Sequence, residues 1–273
     1  MIKNLFLTVF ISSISLCPIS ETFTQDKRAG DKSLRVGEEI TYLVKYLFFE
    51  IGEVKLKVTD SFIENGDTIY KTIAYIDSYE GLPFVNLHQV YESQFNQHQV
   101  SRMFRGTVFG DEDTSVTKYT FDKNHNTVHI YRGRKSPPET WVDSVAILGR
   151  NHQDGLSIFY YARMRTGQNR SYNIPCFVNE KSENTIINFY SENIPLRINS
   201  IDYEADCVKL DGKTDFVSIF GLTGEFEGWF SNDSLAIPLL AKMKVIIGNI
   251  SLELIDWNKD EWMPPKYIKA NRK

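Results

Sequence analysis

VKLKVT, residues 54–59, alternates apolar and polar side chains, and this alternation decides the fold class. A period of two places the valines and the leucine on one face of an extended strand, with the lysines and the threonine on the other. One covered face and one solvent-facing side are typical of strands in antiparallel sheets. The stretch therefore predicts a half-buried antiparallel strand.

Similar runs, mostly rich in β-branched and aromatic residues, recur through most of the chain. The predicted strands are Ile40–Tyr46, Ile69–Ile76, Gln99–Phe104, Val116–Phe121, Val128–Tyr131, Ser171–Val178, Thr185–Tyr190, Ile198–Leu210, Asp215–Phe220, Glu225–Phe230 and Ala236–Ile255. Several connections are short and contain residues that accept turn dihedrals, as in Glu64–Asp67, Asp122–Asn124 and Asp211–Gly212. The pattern predicts a single meander without a linker or an internal repeat.

Two features interrupt the alternation. In Asp154–Arg165 the apolar residues follow helical spacing, the first residue is suited to an N-cap, and Gly167 follows the last. We interpret this segment as one short helix packed on several sides. The last long apolar run is expected to fold back near Gly248–Asn249, with Met243 and Val245 facing the core.

The composition, 42% hydrophobic and 24% charged residues in a chain of 273, is that of a folded globular protein. A formal net charge of −4 and a pI near 5.8 give no long-range attraction for a phosphate backbone. Nucleic acid is therefore not an expected partner.

The N-terminus has the pattern of a Sec-type signal peptide. Lys3 is followed by the apolar stretch Leu5–Leu16, which is shorter than the ~20 apolar residues that span a bilayer. A buried strand or helix is the alternative, but the polar segment Glu21–Ser33 separates this stretch from the first patterned strand. We expect export to a periplasm and no transmembrane segment in the mature chain. Lipid anchoring through Cys17 is less favoured because the preceding Leu16 is bulky.

These features divide the chain into a signal peptide at 1–24, one antiparallel β domain at 34–256 and a C-terminal surface extension at 257–273. Cleavage is expected between Cys17 and Gln25. Two cysteines then remain, Cys176 and Cys207, in a compartment where disulfides persist. They either pair or stay as separate buried thiols, because the sequence does not give the distance between their Cα atoms.

The sequence contains no recognisable motif for nucleophilic catalysis, phosphate binding or metal coordination. His125 and His129 would lie roughly 13 Å apart along one strand face, too far to share a metal. The acidic loop Gly110–Asp113 lacks spaced calcium ligands and is better explained as a solvated turn. His152 and Asp154 could act as a base and its orienting group, but no nucleophile accompanies them and a helix cap is the simpler interpretation. We therefore expect no catalytic residues, no metal and no cofactor.

Aromatic residues are abundant, with 14 Tyr and 18 Phe. Such side chains either fill a core or line a pocket for an apolar ligand, and a core role is expected for most of them. Clustering along the sequence gives five candidate ligand-binding residues: Tyr42, Tyr46, Tyr160, Tyr161 and Trp229.

Four stretches, Gly37–Val54, Gly81–Ser93, Asp154–Arg163 and Gly228–Gly248, together span about residues 34 to 256. As a set they resemble the bacterial exported proteins grouped as the domain-of-unknown-function family numbered 3108. Residues Glu204–Lys209 depart from the family pattern, because a glycine turn before the cysteine is missing. The resemblance implies an envelope location and a mainly β fold, with one curved antiparallel sheet or half-barrel wrapped partly around a helix. The architecture also has a looser likeness to periplasmic carriers of lipoproteins or other lipids.

Three functions are compatible with these observations. The leading hypothesis is a non-catalytic exported cell-envelope protein whose concave sheet binds a lipid or other hydrophobic small molecule. The second is a structural or assembly partner of another envelope protein, which predicts an exposed apolar patch or an unpaired sheet edge. The third is a glycan or cell-wall hydrolase, which needs two facing carboxylates or a perturbed histidine in a cleft.

Overall fold

The computed structural model describes residues 34–83, 85–218, 221–245, 248–258 and 262–269, so the predicted signal peptide lies outside the described residues. Within them the chain forms fifteen strands and one helix, α1, at Ser157–Arg163. The strands are β1 Glu39–Tyr46, β2 Phe49–Glu64, β3 Asp67–Ser78, β4 His88–Asn96, β5 Ser101–Phe109, β6 Thr114–Asp122, β7 Thr127–Lys135, β8 Pro138–Ile147, β9 Arg170–Val178, β10 Lys181–Phe189, β11 Ile194–Leu196, β12 Ala205–Thr214, β13 Leu222–Ser231, β14 Pro238–Val245 and β15 Gly248–Trp257.

The strands form one antiparallel sheet. Its order is β8-β7-β6-β5-β4-β3-β2-β1-β15-β14-β13-β12-β10-β9, and β11 pairs with β12 beside this path. Most strands pair with their neighbour in sequence, while β1 pairs with β15 and so joins the two halves of the chain. The predicted single antiparallel sheet with one short helix is confirmed.

The sheet curves until β9, at one end of the strand order, lies against β6 without pairing. The Phe177 ring contacts the rings of Tyr119 and Phe121, with centroid distances of 5.1 and 6.1 Å. In the turn after β9, the Glu180 N–H donates to the Tyr119 hydroxyl at 3.2 Å, and the Glu180 carboxylate pairs with Arg132 of β7 at 3.1 Å. Side-chain contacts therefore close this part of the wall, where the sheet has no strand ladder.

Successive antiparallel strands place alternate connections at opposite ends of a sheet. We call the end with the connections after β1, β3, β5, β7, β9, β12 and β14 the open end. The plugged end is the opposite one, where β1 begins and where α1 ends against the chain before β14. This arrangement places the helix inside the curve of the sheet, towards one end only.

Asp154 fixes where α1 begins. Its carboxylate accepts hydrogen bonds from the backbone N–H groups of Leu156 and Ser157, both at 2.8 Å, and from the Ser93 hydroxyl at 2.7 Å. Burial raises the pKa of Asp154, and these hydrogen bonds oppose the shift. The predicted capping role is confirmed, although the helix is shorter than the predicted Asp154–Arg165.

Arg163, the last residue of α1, is fully buried and anchors the helix across the plugged end. Its guanidinium forms a bidentate pair with the buried Glu38 carboxylate, with Nη2 at 2.9 Å from Oε2. Its Nε donates to the Leu235 carbonyl at 2.9 Å. The opposite charges of the two side chains compensate each other, and the bond to Leu235 satisfies a further guanidinium N–H, as a buried ion pair requires.

The helix and Leu156, the residue before it, supply side chains to two buried hydrophobic clusters. Leu156 and Tyr160 belong to the larger cluster, in which the Tyr160 ring lies 5.3 Å from that of Phe95. Ala162 belongs to the smaller cluster, and Ile158 packs against it. The predicted packing on several sides is confirmed.

Several strand predictions were wrong at their boundaries. Residues 215–218 of the predicted strand Asp215–Phe220 form a loop, and 219–220 lie outside the described residues. Residues 198–204 form turns, so the strand predicted to start at Ile198 begins at Ala205. The alternation missed β4, β8 and β11 altogether. Buried apolar residues of a loop can follow the same local pattern as a strand, because the pattern reports burial and not pairing.

The final hairpin is confirmed with a different turn. Gly248 and Asn249 are the first residues of β15 and pair with Val245 and Lys244. The predicted turn dipeptide therefore belongs to the strand ladder, and 246–247 lie outside the described residues. Val245 is buried as predicted, and Met243 is partly buried.

The described part of the tail, 262–269, packs on the domain. The Trp262 ring lies 5.6 Å from that of Trp257, and its Nε1 donates to Asp233 at 2.8 Å. The Asp206 N–H donates to the Pro265 carbonyl at 2.6 Å. These contacts attach the described part of the tail to the surface beside β12.

Two glycines lie directly opposite aromatic residues on neighbouring strands. Gly106 is opposite Tyr91, and Gly212 is opposite Phe226. A Cβ at Gly106 would lie 3.0 Å from the Tyr91 ring, and one at Gly212 would collide with the Phe226 ring and the Ile186 carbonyl. The aromatic rings cover the glycines, as they do where sheets curve strongly.

We predict that Gly212→Ala lowers the free energy of unfolding by about 1–3 kcal/mol, because the new methyl group overpacks the site. Urea denaturation measures the change. Gly149→Ala is the control, since a Cβ there meets no atom within 4 Å. Equal stability of the two variants would contradict the close contact.

We predict that Asp154→Ala lowers the free energy of unfolding by about 1–2 kcal/mol through loss of the cap, and that Asp154→Asn, which keeps an acceptor oxygen, lowers it less.

The pKa of Asp154 is raised in the folded state. Above an unfolded pKa near 3.9, the folded state therefore retains a proton that the unfolded state has lost. The contribution of Asp154 to stability therefore falls as the pH rises through this window. Urea denaturation across acidic and neutral pH should show wild type losing stability relative to Asp154→Asn, and a pH-independent difference would contradict the assignment.

A candidate ligand-binding cavity

A cavity of about 580 Å³ lies at the open end of the fold, between the concave face of the sheet and Gly155 at the start of α1. Both halves of the sheet contribute to it. Its apolar wall includes Val44, Val54, Ile76, Phe104, Phe177 and Leu252. The strand alternation predicted the covered face that forms this apolar wall. The interior is hollow at this end because the short helix does not extend into it.

One side of this cavity is polar but uncharged. Gln89 of β4 and Ser115 of β6 lie in the same row across the sheet, on either side of Val108, and Thr117 follows one step along β6. Burial raises the pKa of the Tyr91 phenol to about 12, so the group stays protonated and donates to Gln89 Oε1 at 3.0 Å. None of the described residues that line this cavity is charged.

A second cavity, of about 150 Å³, lies between α1 and strands that include β9, β10 and β12–β14. Ile158 and Ala162 of the helix form one wall. Both cavities are lined by Gly155 and Ser218, so they adjoin at the start of the helix. The Ser218 hydroxyl is buried there without a hydrogen-bond partner among the described residues.

The five candidate aromatic residues do not form one site. Tyr42 lines the smaller cavity, where its hydroxyl donates to the Pro238 carbonyl at 3.0 Å. Tyr160 is buried in the core beside Phe95. Of these two candidates, Tyr42 therefore lines a cavity and Tyr160 belongs to the core.

The other three candidates lie away from the cavity walls. Tyr46 packs against Gly248 in the neighbouring strand. Arg165 stacks 3.4 Å above the Tyr161 ring, and Lys209 lies 5.4 Å from the Trp229 ring. Cation–π contacts of this kind stabilise a protein surface and need no ligand.

Sequence reasoning missed Gln89, Ser115 and Thr117. Their signal is a polar side chain at an inward-facing strand position. That signal is readable only when the register between strands is known, because a polar residue of an isolated strand is otherwise assigned to the solvent face.

Cys176 and Cys207, for which the sequence left pairing open, are both free, buried thiols. Cys176 lies two residues after Ile174 in β9, and Ile174 is in one row across the sheet with Thr185 and Thr214. Cys207 lies seven residues before Thr214 in β12, which is roughly 23 Å along that strand. The two cysteines are therefore far apart in the sheet. Burial raises the pKa of each thiol to about 12, which keeps both protonated near neutral pH.

The histidines are engaged separately. His152 contacts the Arg150 carbonyl at 2.8 Å and the Ser182 hydroxyl at 2.7 Å rather than Asp154, and burial lowers its pKa. His125 and His129 each pair with a different aspartate. Across the described ranges, no group of three His, Cys, Asp or Glu side chains is arranged to hold a metal ion.

Among the residues that the structure describes, no helix has the length and apolar character of a membrane span.

Comparison with known proteins places this architecture in context. A β-barrel-like protein of the domain of unknown function DUF1849 from Brucella abortus has a TM-score of 0.50 at 8% identity, over 82% of this chain and 98% of its own. A Bacteroides fragilis protein with a YmcC-like fold has a TM-score of 0.34 at 8% identity, over 82% and 97%. No curated protein matches the chain. The Brucella protein shares the fold alone. A family model described as a protein of unknown function, DUF3108, matches residues 41–255, and the chain therefore belongs to the DUF3108 family.

Proposed function

We propose that this protein is a non-catalytic, exported cell-envelope protein that holds a hydrophobic ligand inside its curved sheet. The cavity of about 580 Å³ at the open end carries the proposal. Its volume falls within the ~300–1,000 Å³ typical of small-molecule sites, and its mainly apolar wall with a few polar groups has their usual chemistry.

The helix explains why the interior can accept a ligand. With seven residues, α1 covers only part of the concave face, and its anchor at Arg163 places it at the plugged end. Apolar surface left in contact with water costs about 25 cal/mol per Å² relative to burial. A ligand that covers the remaining wall recovers this free energy, which supports a lipid or another apolar molecule as the occupant.

The proposal includes export of the mature chain to the periplasm. The sequence pattern of Lys3 and Leu5–Leu16 supports a signal peptide and a periplasmic location for the mature chain. Anchoring through Cys17 is the less favoured form of the same proposal. A protein that shields an apolar molecule from water suits an aqueous compartment between membranes.

We predict that the mature protein, purified gently from its own cell envelope, carries a stoichiometric lipid-like adduct that organic extraction removes. Native mass spectrometry measures the added mass. Val108→Phe should reduce occupancy by roughly tenfold, because the larger ring fills space at the cavity wall.

Val145→Phe is the matched control, since Val145 is exposed on β8 and the substitution adds the same atoms outside the cavity. A clean apo mass in repeated preparations, or equal occupancy in the two variants, would contradict the proposal.

A second candidate function, an assembly partner of another envelope protein, is favoured by β8. This strand ends the sheet order and has no strand partner on its outer edge within the described residues. Val145 and Ile147 are exposed on it. An unpaired edge with apolar side chains can accept a strand from another chain.

We predict that a photoreactive amino acid at Val145 crosslinks to one discrete partner in intact envelopes, because a docked strand would cover this position. Gel mobility and mass spectrometry identify the adduct. Ile63, an aliphatic residue on β2 that is also well exposed, is the control position. Absence of an adduct, or the same adducts from both positions, would contradict the assembly role.

A further inference from the structure

We infer that the ligand of the larger cavity carries an uncharged polar end group, such as the hydroxyl and ester groups of a neutral acyl lipid, and that this end lies between β4 and β6. The inference rests on the proposed ligand-binding function and narrows it to one class of ligand. Three features carry it: where the polar side chains are, whether they have partners, and which charges surround them.

The polar side chains are concentrated on one part of the wall. Gln89 and Ser115 lie in one row with Val108 between them, about 10 Å apart across two strand spacings. Thr117 faces the same side as Ser115, two residues along β6. The opposite wall, formed by residues such as Val245 and Leu252, is apolar. A ligand that lies along this cavity therefore meets three hydrogen-bonding side chains grouped on the wall formed by β4 and β6, while Ser218 adds a separate hydroxyl where the two cavities adjoin.

These polar groups can bond to a ligand. The Ser115 and Thr117 hydroxyls have no hydrogen-bond partner among the described residues. Gln89 accepts a hydrogen bond from Tyr91 through its oxygen, and its amide N–H groups remain available as donors. Ser115 and Thr117 are both partly exposed, so these hydroxyls are accessible to a ligand. Hydroxyls supply both donors and acceptors, which matches a ligand group that also has both.

The charges around this site do not suit an ionised end group. No described lining residue is charged, and the nearby Arg132 and Arg134 of β7 form ion pairs with Glu180 and Glu139. Arg134 and Arg132 lie opposite Ser115 and Thr117 in the neighbouring strand, so a carboxylate or phosphate at the polar wall would lose its hydration and compete with Glu139 and Glu180 for guanidinium groups that are already paired, which is unfavourable. An uncharged hydroxyl or ester would lose less hydration and gain hydrogen bonds from Ser115 and Thr117.

Competition binding with the delipidated mature protein tests the inference. The reporter is the uncharged fluorescent probe N-phenyl-1-naphthylamine. The competitors share one acyl chain and differ in the end group: a monoacylglycerol, the corresponding fatty acid at neutral pH, and a lysophosphatidylglycerol. We expect the monoacylglycerol to displace the probe at roughly tenfold lower concentration than either anionic lipid.

The double substitution Ser115→Ala with Thr117→Val should abolish this preference and still bind the probe, because it removes only hydroxyls that have no partner among the described residues. Thr120→Val, at an exposed position of the same strand, should keep the preference. Urea denaturation checks that both variants are folded.

Each other outcome has a distinct meaning. Equal or tighter binding of an anionic lipid would overturn the inference and leave hydrophobic ligand binding standing. A preference that persists in the double variant would overturn the placement between β4 and β6. Failure of the probe and of all three lipids to bind would overturn the proposed function as well.

Discussion

The buried ion pair between Glu38 and Arg163 is the interaction on which the interior of this protein depends. It joins the residue before the first strand to the last residue of the helix, and the Leu235 carbonyl adds a third bond. Removing one partner of such a pair leaves a buried charge without its counter-charge, which lowers stability by about 3–5 kcal/mol in other proteins. The pair therefore holds α1 at the plugged end and leaves the open end to the sheet alone.

The first residues of the helix are also held by buried polar bonds. Asp154 caps α1 and binds Ser93 of β4, so both ends of a seven-residue helix are tied to the surrounding wall. Gly155 lies between the cap and the helix, where the two cavities adjoin. A helix this short is marginal by itself in water, and its position comes from these buried polar bonds and from packing.

Curvature of the sheet has separate causes. Tyr91 over Gly106 and Phe226 over Gly212 allow strands to bend where a Cβ would be in the way. The bent sheet brings Phe177 against Tyr119, so an aromatic contact replaces backbone pairing at that part of the wall. The resulting interior is enclosed without a complete ring of strands, and its hollow part is bounded by side chains from both halves of the chain.

The sequence by itself determined the class of this fold, the meander of most strands, the position of α1 and its cap at Asp154. These features depend on local periodicity and on the bonding of neighbouring residues, which a linear pattern contains. The family resemblance rested on the same local stretches and was confirmed. Local patterns could not tell that residues 215–218 form a loop or that β4 and β8 are strands.

Only the tertiary structure decided which inward-facing residues fill the core and which surround a hollow. Tyr160 and Tyr42 look alike in sequence, yet one packs beside Phe95 and the other lines a cavity. Gln89 and Ser115 meet on one wall because β4, β5 and β6 pair in a particular register. The physical reason is that alternation reports the side to which a residue points, whereas the space in front of it depends on strands and on a helix that are distant in sequence.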